Sequence, residues 1–257
     1  MEVEIEKDRN SAVGWRYLMQ PWLRTPLMIA VCIMFFQQFV GINTVIYYSP
    51  KIFLMAGFES TLSAIWASVG IGIVNVVFTV ISLYLVDRIG RRKLYFIGLS
   101  GIAFSVLCLS ACFIYANQLG EIGRWLMVIF MFGYVAFFAI SIGPLGWLVI
   151  SEIFPQKVRG LGTSIGSLAV WIFNCIVSFT FFKIIDFFSI PGTEIVVGQT
   201  TSENPAGAFF LYGFIAVLGL VWGYLFLPET KGLSLEEIEQ KWRKNLSLIH
   251  ISEPTRP

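Results

Sequence analysis

Residues 60–86 read STLSAIWASVGIGIVNVVFTVISLYLV, and residues 87–93 read DRIGRRK. The first stretch runs 27 residues without one Asp, Glu, Lys or Arg, and the second holds five charges in seven. A helix rises about 1.5 Å per residue, so about 20 apolar residues cross a hydrocarbon core roughly 30 Å thick. Residues 60–86 therefore read as a transmembrane helix, and the basic loop as its cytoplasmic end. The pattern recurs. Uncharged runs fill 25–50, 60–86, 94–120, 125–151, 160–182 and 204–228, together 155 of 257 residues. Six runs of 23 to 27 residues predict six spans. The chain is 56% hydrophobic and 13% charged, against about 25% charge in soluble domains. A soluble enzyme, a secreted disulfide scaffold and a nucleic-acid binder are excluded; the expected surroundings are a lipid bilayer.

The loops predict orientation. Lys and Arg accumulate on the cytoplasmic side of membrane helices. Up to residue 246, fourteen of them stand before the first span, between spans two and three, between four and five, and after the sixth; the alternate connections hold only Lys51, Arg124 and Lys183. Both termini are expected in the cytoplasm, and the stretch from Phe187 to Asn204 outside. Ser234–Lys244, acidic early and basic late, reads as a short solvated helix. The predicted organisation is a cytoplasmic segment over 1–24, a six-helix half-domain over 25–228 and a cytoplasmic tail over 229–246. The closing residues 247–257, SLIHISEPTRP, continue no element and read as cloning or sequencing read-through. Met1 to Asn10 is too charged for a cleavable signal peptide. Cys32, Cys108, Cys112 and Cys175 lie in the spans, where cysteine packs as a small hydrophobe. The lone histidine, His250, lies in the tail, so no metal site is expected.

Polar residues inside apolar spans carry the functional information. The first span holds Gln37, Gln38 and Asn43 around Gly41. The second carries a stripe of Ser68, Gly72, Asn75, Thr79 and Ser82, and the fifth one of Gly160, Thr163, Ser167, Trp171, Asn174 and Ser178. Each stripe is one helix face. Small and hydroxylated residues also pack helix on helix in lipid, and that reading is favoured for the Ser, Thr and Gly members, including the Gly162/Gly166 and Gly219/Gly223 pairs. The amides differ. Gln37, Gln38, Asn75 and Asn174 lie near the centres of their runs, and each would cost about 1–3 kcal/mol if buried unsatisfied. A polar site at the midplane would satisfy them, at the depth where transporters bind their cargo. Uncharged carboxamides offer donors and acceptors together, matching the hydroxyls of a sugar or polyol. Trp171 supplies a ring at the same depth. Trp147 follows Gly143–Pro144, where a broken helix is expected over Gly143–Gly146. Its depth, nine residues from the centre of its run, argues against a place in the site and fits an interfacial anchor.

The motifs around these residues resemble a known family. QQFVGINTVIYYSP (Gln37–Pro50), DRIGRRK (Asp87–Lys93), GPLGWLVISEIFP with QKVRG (Gly143–Gly160) and PETKG (Pro228–Gly232) are similar to the signatures of the sugar porter family of the major facilitator superfamily. The resemblance begins near Trp15 and runs through Lys231. Family members have twelve spans in two halves and carry the DR-x-GRR loop in both. This chain resembles the second half alone, so it is expected to be a fragment whose partner is a missing N-terminal six-helix half. The resemblance implies an all-α fold of six helices in two inverted three-helix repeats. It implies sugar contacts at Gln37, Gln38, Asn43, Asn75, Trp147, Trp171 and Asn174. It also implies a conformational latch of Asp87, Arg88, Arg91, Arg92, Glu152 and Arg159, which ties helix ends together in the outward-facing state, with Glu229 and Lys231 beside it. Some glucose facilitators of the family carry a glutamate where this chain has Ala139, so a hexose preference does not carry over from them.

The expected function is one half of a monosaccharide or polyol transporter, proton-coupled and working by alternating access in the cell membrane, with no cofactor. No Asp, Glu or His lies inside the six runs, so a coupling carboxylate is expected in the other half. The same absence argues against an intramembrane enzyme. The alternative is a non-transporting sugar-binding sensor or assembly subunit; a sensor would share the site, but sensors of this family usually carry a long cytoplasmic tail, and the tail here is short.

Overall fold

A computed structural model of the chain describes residues 18–58, 60–189, 194–197, 200–232 and 237. The expectations for the N-terminal segment up to residue 17, for the tail helix apart from Glu237, and for residues 247–257 fall outside these. Six helical stretches are long and apolar enough to cross a membrane: Pro21–Met55, Thr61–Ile89, Arg91–Ile114, Ala116–Glu152, Gln156–Phe187 and Ala206–Phe226. The protein is an all-α, multi-pass integral membrane protein. Two of the spans are composite. The first divides into α1 (Arg24–Phe39) and α2 (Ile42–Met55). The second and third are α3 (Thr61–Ile89) and α4 (Arg91–Ile114). The fourth divides into α5 (Ala116–Ile140) and α6 (Ile142–Glu152). The fifth and sixth are α7 (Arg159–Phe187) and α8 (Ala206–Phe226).

Local chemistry sets several of these limits. Ser60 caps α3 by accepting from the Ser63 N–H at 3.1 Å, which satisfies one orphan donor of the first turn. Gly90 alone separates α3 from α4 and takes φ +97°, a conformation open to glycine. Between α7 and α8 the chain forms a small antiparallel hairpin, β1 (Ile195–Val197) with β2 (Thr200–Ser202). The sequence reading gave this stretch only as a loop.

α4 is the centre of the bundle. Leu94, Tyr95, Leu99, Ile102, Val106, Leu109 and Phe113 are all buried, and the helix packs chiefly against α5 and α8. Small residues on α8 permit the approach: a Cβ on Gly219 would come within 2.8 Å of Leu99, and one on Gly223 would strike the Tyr95 ring. The Tyr95 hydroxyl donates to the Gly219 carbonyl at 2.9 Å. These glycines serve packing, as their spacing suggested. α3 is the contrast. It buries only Ala64, Ile71, Ser82 and Val86, and turns Leu62, Trp66, Ile73, Val76, Leu83 and Tyr84 outward. A face this apolar suits lipid or another apolar surface and not water.

Candidate functional site

Both composite spans break beside the midplane amides. The first breaks at Val40–Gly41, where Gly41 takes φ +86°. Only glycine reaches this region without a Cβ clash, and here a Cβ would also run into the Tyr212 ring. Val40 loses its helical partner, and the Tyr134 hydroxyl donates to its carbonyl at 2.8 Å. The sequence reading treated this span as continuous. The fourth span breaks at Ser141 (φ −128°, ψ −105°), earlier than the expected Gly143–Gly146. The reason lies in proline chemistry. Pro144 occupies the first turn of α6, where a missing N–H is tolerated, so the irregular residues fall before it. The carbonyl that Pro144 cannot satisfy in a continuous helix, that of Ile140, instead accepts from the Ser82 hydroxyl at 2.9 Å.

Between the two breaks and the polar faces of α3 and α7 lies a cavity of about 320 Å³, within the usual range for small-molecule sites. All seven residues expected to touch substrate line it: Gln37 and Gln38 from α1, Asn43 from α2, Asn75 from α3, Trp147 from α6, and Trp171 and Asn174 from α7. Trp147, which depth alone left as an anchor, reaches the cavity because the break redirects α6. Tyr47, Thr79, Phe138, Pro144 and Val170 also line it. Tyr47 went unnoticed, although it stands four residues after Asn43 and so shares its face. Thr79 was read as packing. Ala139 also contributes to the wall and is buried.

The amides are engaged unequally. Gln37 is 2% exposed and its Nε2 donates to the carbonyls of Ile142 at 3.1 Å and Gly143 at 2.7 Å. Gln38 Nε2 donates to Gln37 Oε1 at 3.3 Å, and Asn43 Nδ2 donates to Gln38 Oε1 at 2.6 Å. Asn174 Nδ2 donates to the Tyr47 hydroxyl at 3.3 Å, while its Oδ1 accepts from Ser178 at 3.1 Å. The Asn75 side chain has no hydrogen-bond partner among the described residues. Most stripe hydroxyls turn back on their own helices: Ser68 to Ala64, Thr79 to Asn75, Thr163 to Arg159 and Ser167 to Thr163. Trp147 is 44% and Trp171 65% exposed, so both rings keep apolar surface free beside the amides.

At the end of the bundle marked by the DRIGRRK loop lies a second polar cluster. Arg91 donates to Glu152 Oε1 through Nη2 at 2.8 Å and Nε at 3.3 Å. Its Nη1 stands 3.4 Å from Asp87 Oδ1, a carboxylate with a 79% exposed side chain. Thr230 donates to the other Glu152 oxygen. Glu229 accepts from the Arg91 and Arg92 backbone N–H groups, each at 3.1 Å, placing a carboxylate on the positive end of α4. Lys231 Nζ donates to the Arg88 carbonyl at 2.7 Å, at the negative end of α3. Arg92 donates to the Tyr224 carbonyl. The expected network thus gathers Asp87, Arg91 and Glu152 through side chains. Arg88 joins it through its backbone carbonyl and Arg92 through its backbone N–H. Arg159 stands apart: its buried Nε and Nη2 have no hydrogen-bond partner among the described residues.

Comparison with known proteins follows the same lines. Residues 1–242 match the family model described as "Sugar (and other) transporter". The chain is 37% identical over 230 residues to the glucose transporter GlcP of Staphylococcus epidermidis, covering 90% of this chain and 48% of that one. It is 35% identical over 241 residues to the D-xylose-proton symporter of Escherichia coli, covering 94% and 46%. Among solved structures, it superimposes on the proton:xylose symporter XylE bound to 6-bromo-6-deoxy-D-glucose with a TM-score of 0.73 and 34% identity, covering 94% of this chain and 47% of that one. The chain spans about half the length of the curated relatives it matches.

Proposed function

Since the chain belongs to the sugar transporter family of the major facilitator superfamily, a family of transporters and not of enzymes, we propose that it forms the C-terminal half of a monosaccharide or polyol transporter. It works by alternating access with a complementary six-helix half. The observation that carries this reading is the cavity. Its polar groups are carboxamides and hydroxyls without a charge, which suit a neutral ligand whose every hydroxyl both donates and accepts. Trp147 and Trp171 supply apolar faces against which the C–H face of a sugar ring packs. Both termini face the cytoplasm of a cell membrane in this reading, following the basic loops.

The cluster around Arg91 and Glu152 is the latch. It joins the α3–α4 turn to the end of α6 and to the segment after α8, so its ion pairs form in one state and part in the other. The proposed mode is proton symport, the mode named for the Escherichia coli relative. Asp87 and Glu152 sit at helix ends, so the coupling carboxylate belongs to the complementary half. Neutralising the acids of each half in turn, with sugar-induced proton uptake as the readout, tests this. Coupling lost only with Asp87 or Glu152 would refute it.

Substitution separates binding from packing. In the completed transporter, Gln38→Ala and Asn75→Ala are each expected to weaken sugar binding by about 1–3 kcal/mol, the cost of unpaired buried groups. Expression and thermal stability should change little for Asn75→Ala, whose amide has no hydrogen-bond partner among the described residues. Equilibrium binding of radiolabelled D-glucose and D-xylose measures the effect. Unchanged binding of both sugars in both variants would remove the amides from the site.

A further inference from the structure

The hydrogen bonds that join Gln37, Gln38 and Asn43 run in one direction only. Gln37 Nε2 faces two backbone carbonyls, those of Ile142 and Gly143, and a carbonyl can only accept. Its amide nitrogen must therefore point at the break between α5 and α6, and its Oε1 must point away. That oxygen in turn requires the N–H of Gln38, whose Oε1 then requires the N–H of Asn43. Turning over Gln37 or Gln38 would set oxygen against oxygen on one side and N–H against N–H on the other, and turning over Asn43 would set its Oδ1 against Gln38 Oε1. The carbonyls at the break thus fix the sense of all three. Gly146 makes the anchor possible, since a Cβ there would stand 2.8 Å from Gln37 Nε2.

We propose that Gln37 is a positioning residue, which reads the exposed carbonyls of the α5–α6 break and fixes the donor and acceptor sense of Gln38 and Asn43. This rests on the sugar-binding reading of the cavity and deepens it. Both Gln37 N–H groups are committed to the break, so Gln37 offers a ligand only the second lone pair of its Oε1 and otherwise acts through its neighbours. The groups left over at the far end of the relay are the Oδ1 of Asn43 and one N–H each on Asn43 and Gln38. A hydroxyl seated there donates to Asn43 Oδ1 while accepting from Gln38. The site thereby selects a ligand hydroxyl by its ability to donate, and a rearrangement of the break changes that selection.

A fluorine in place of a hydroxyl keeps a weak acceptor and loses the donor, which makes monofluoro-deoxy sugars the probe. The full chain is placed in lipid nanodiscs with side-chain amides of Gln and Asn labelled with ¹⁵N. Both Gln37 side-chain protons should exchange with solvent at least about tenfold more slowly than those of Asn75, since two hydrogen bonds must open together. Equal exchange would overturn the relay without any substitution. Gly146→Ala, which displaces the Gln37 amide and removes no polar group, should shift the Gln38 and Asn43 amide resonances and leave that of Asn75 in place. Unmoved Gln38 and Asn43 resonances would likewise overturn it.

Sugar titrations follow the fluorescence of Trp147 and Trp171, on the chain alone and joined to the N-terminal half of the Escherichia coli D-xylose-proton symporter. One monofluoro analogue of D-glucose should bind about five- to tenfold more weakly than D-glucose, the worth of one hydrogen bond. In Gly146→Ala and Gln37→Met that ratio should fall towards one. A uniform weakening of fluoro and hydroxyl ligands would make Gln37 a packing residue and refute the proposal. If neither preparation responds to D-glucose or D-xylose while the amide pattern holds, the sugar reading fails and the relay stands.

Discussion

Gly41→Ala is expected to destabilise the chain by about 2–5 kcal/mol. Two costs combine. A residue with a Cβ held at the left-handed φ of +86° costs roughly 1–2 kcal/mol. The added methyl also runs into the ring of Tyr212, which is 2% exposed and hemmed in by Phe181 and Phe209; overpacking of this kind costs about 1–3 kcal/mol. Relief requires α2 to tilt or Tyr212 to withdraw, and a tilt carries Asn43 away from Gln38. Sugar binding should therefore fall along with stability. Gly72→Ala is the control, because a Cβ there meets nothing within 4 Å. Denaturant unfolding in mixed micelles measures both. A Gly41→Ala protein as stable as Gly72→Ala would show that Gly41 is not the obligatory hinge of the first span.

Arg91→Met should cost about 3 kcal/mol, at the lower end for a broken buried ion pair. The side chains of Arg91 and Glu152 are 13% and 22% exposed, so removing the cation strands a largely desolvated carboxylate with only Thr230, among the described residues, to serve it. Glu152→Gln should cost less, since the amide oxygen still accepts from Arg91. In the double variant Arg91→Met/Glu152→Gln much of the loss should return, because no uncompensated charge remains. Asp87→Asn should change stability by less than about 0.5 kcal/mol, as expected of an exposed pair. The double-mutant cycle is read from unfolding free energies. Additive single effects would mean that the pair is not coupled. In the completed transporter the same substitutions should alter transport rate and the balance between states more than sugar affinity in a locked state.

The spans were legible because charge is intolerable in hydrocarbon, so six charge-free runs leave little choice of architecture. The polar lining was legible for the same reason: an amide at mid-span needs a purpose. The shape of the spans was less so. Nothing local distinguishes Gly41, which bends the first span, from Gly72, which does not; the difference is made by Tyr134 and Tyr212, far away in the chain. The second break was foreseen from Pro144 but placed too late, since the proline sits inside the first turn of the new helix and the break falls before it. Trp147 was judged by counting residues along a straight helix, a measure that fails once Ser141 redirects it. Gln37 could be assigned to the cavity from its position. Its orientation could not, because the carbonyls that fix it become available only when another span breaks. The isolation of Arg159 among the described residues had no sequence signal at all.

The two broken spans also impose an order on biogenesis. A backbone carbonyl left without a partner in hydrocarbon costs several kcal/mol, so a span entering the bilayer alone stays helical throughout. The bend at Gly41 needs the Tyr134 hydroxyl, 94 residues downstream. The bend at Ser141 needs Ser82 and Gln37, the latter 105 residues upstream of the Ile142 carbonyl to which it donates. Each irregular span thus carries the group that excuses the other. The first span waits, straight and already inserted, until the ribosome has delivered the fourth, and the ligand chamber comes into being only at their meeting.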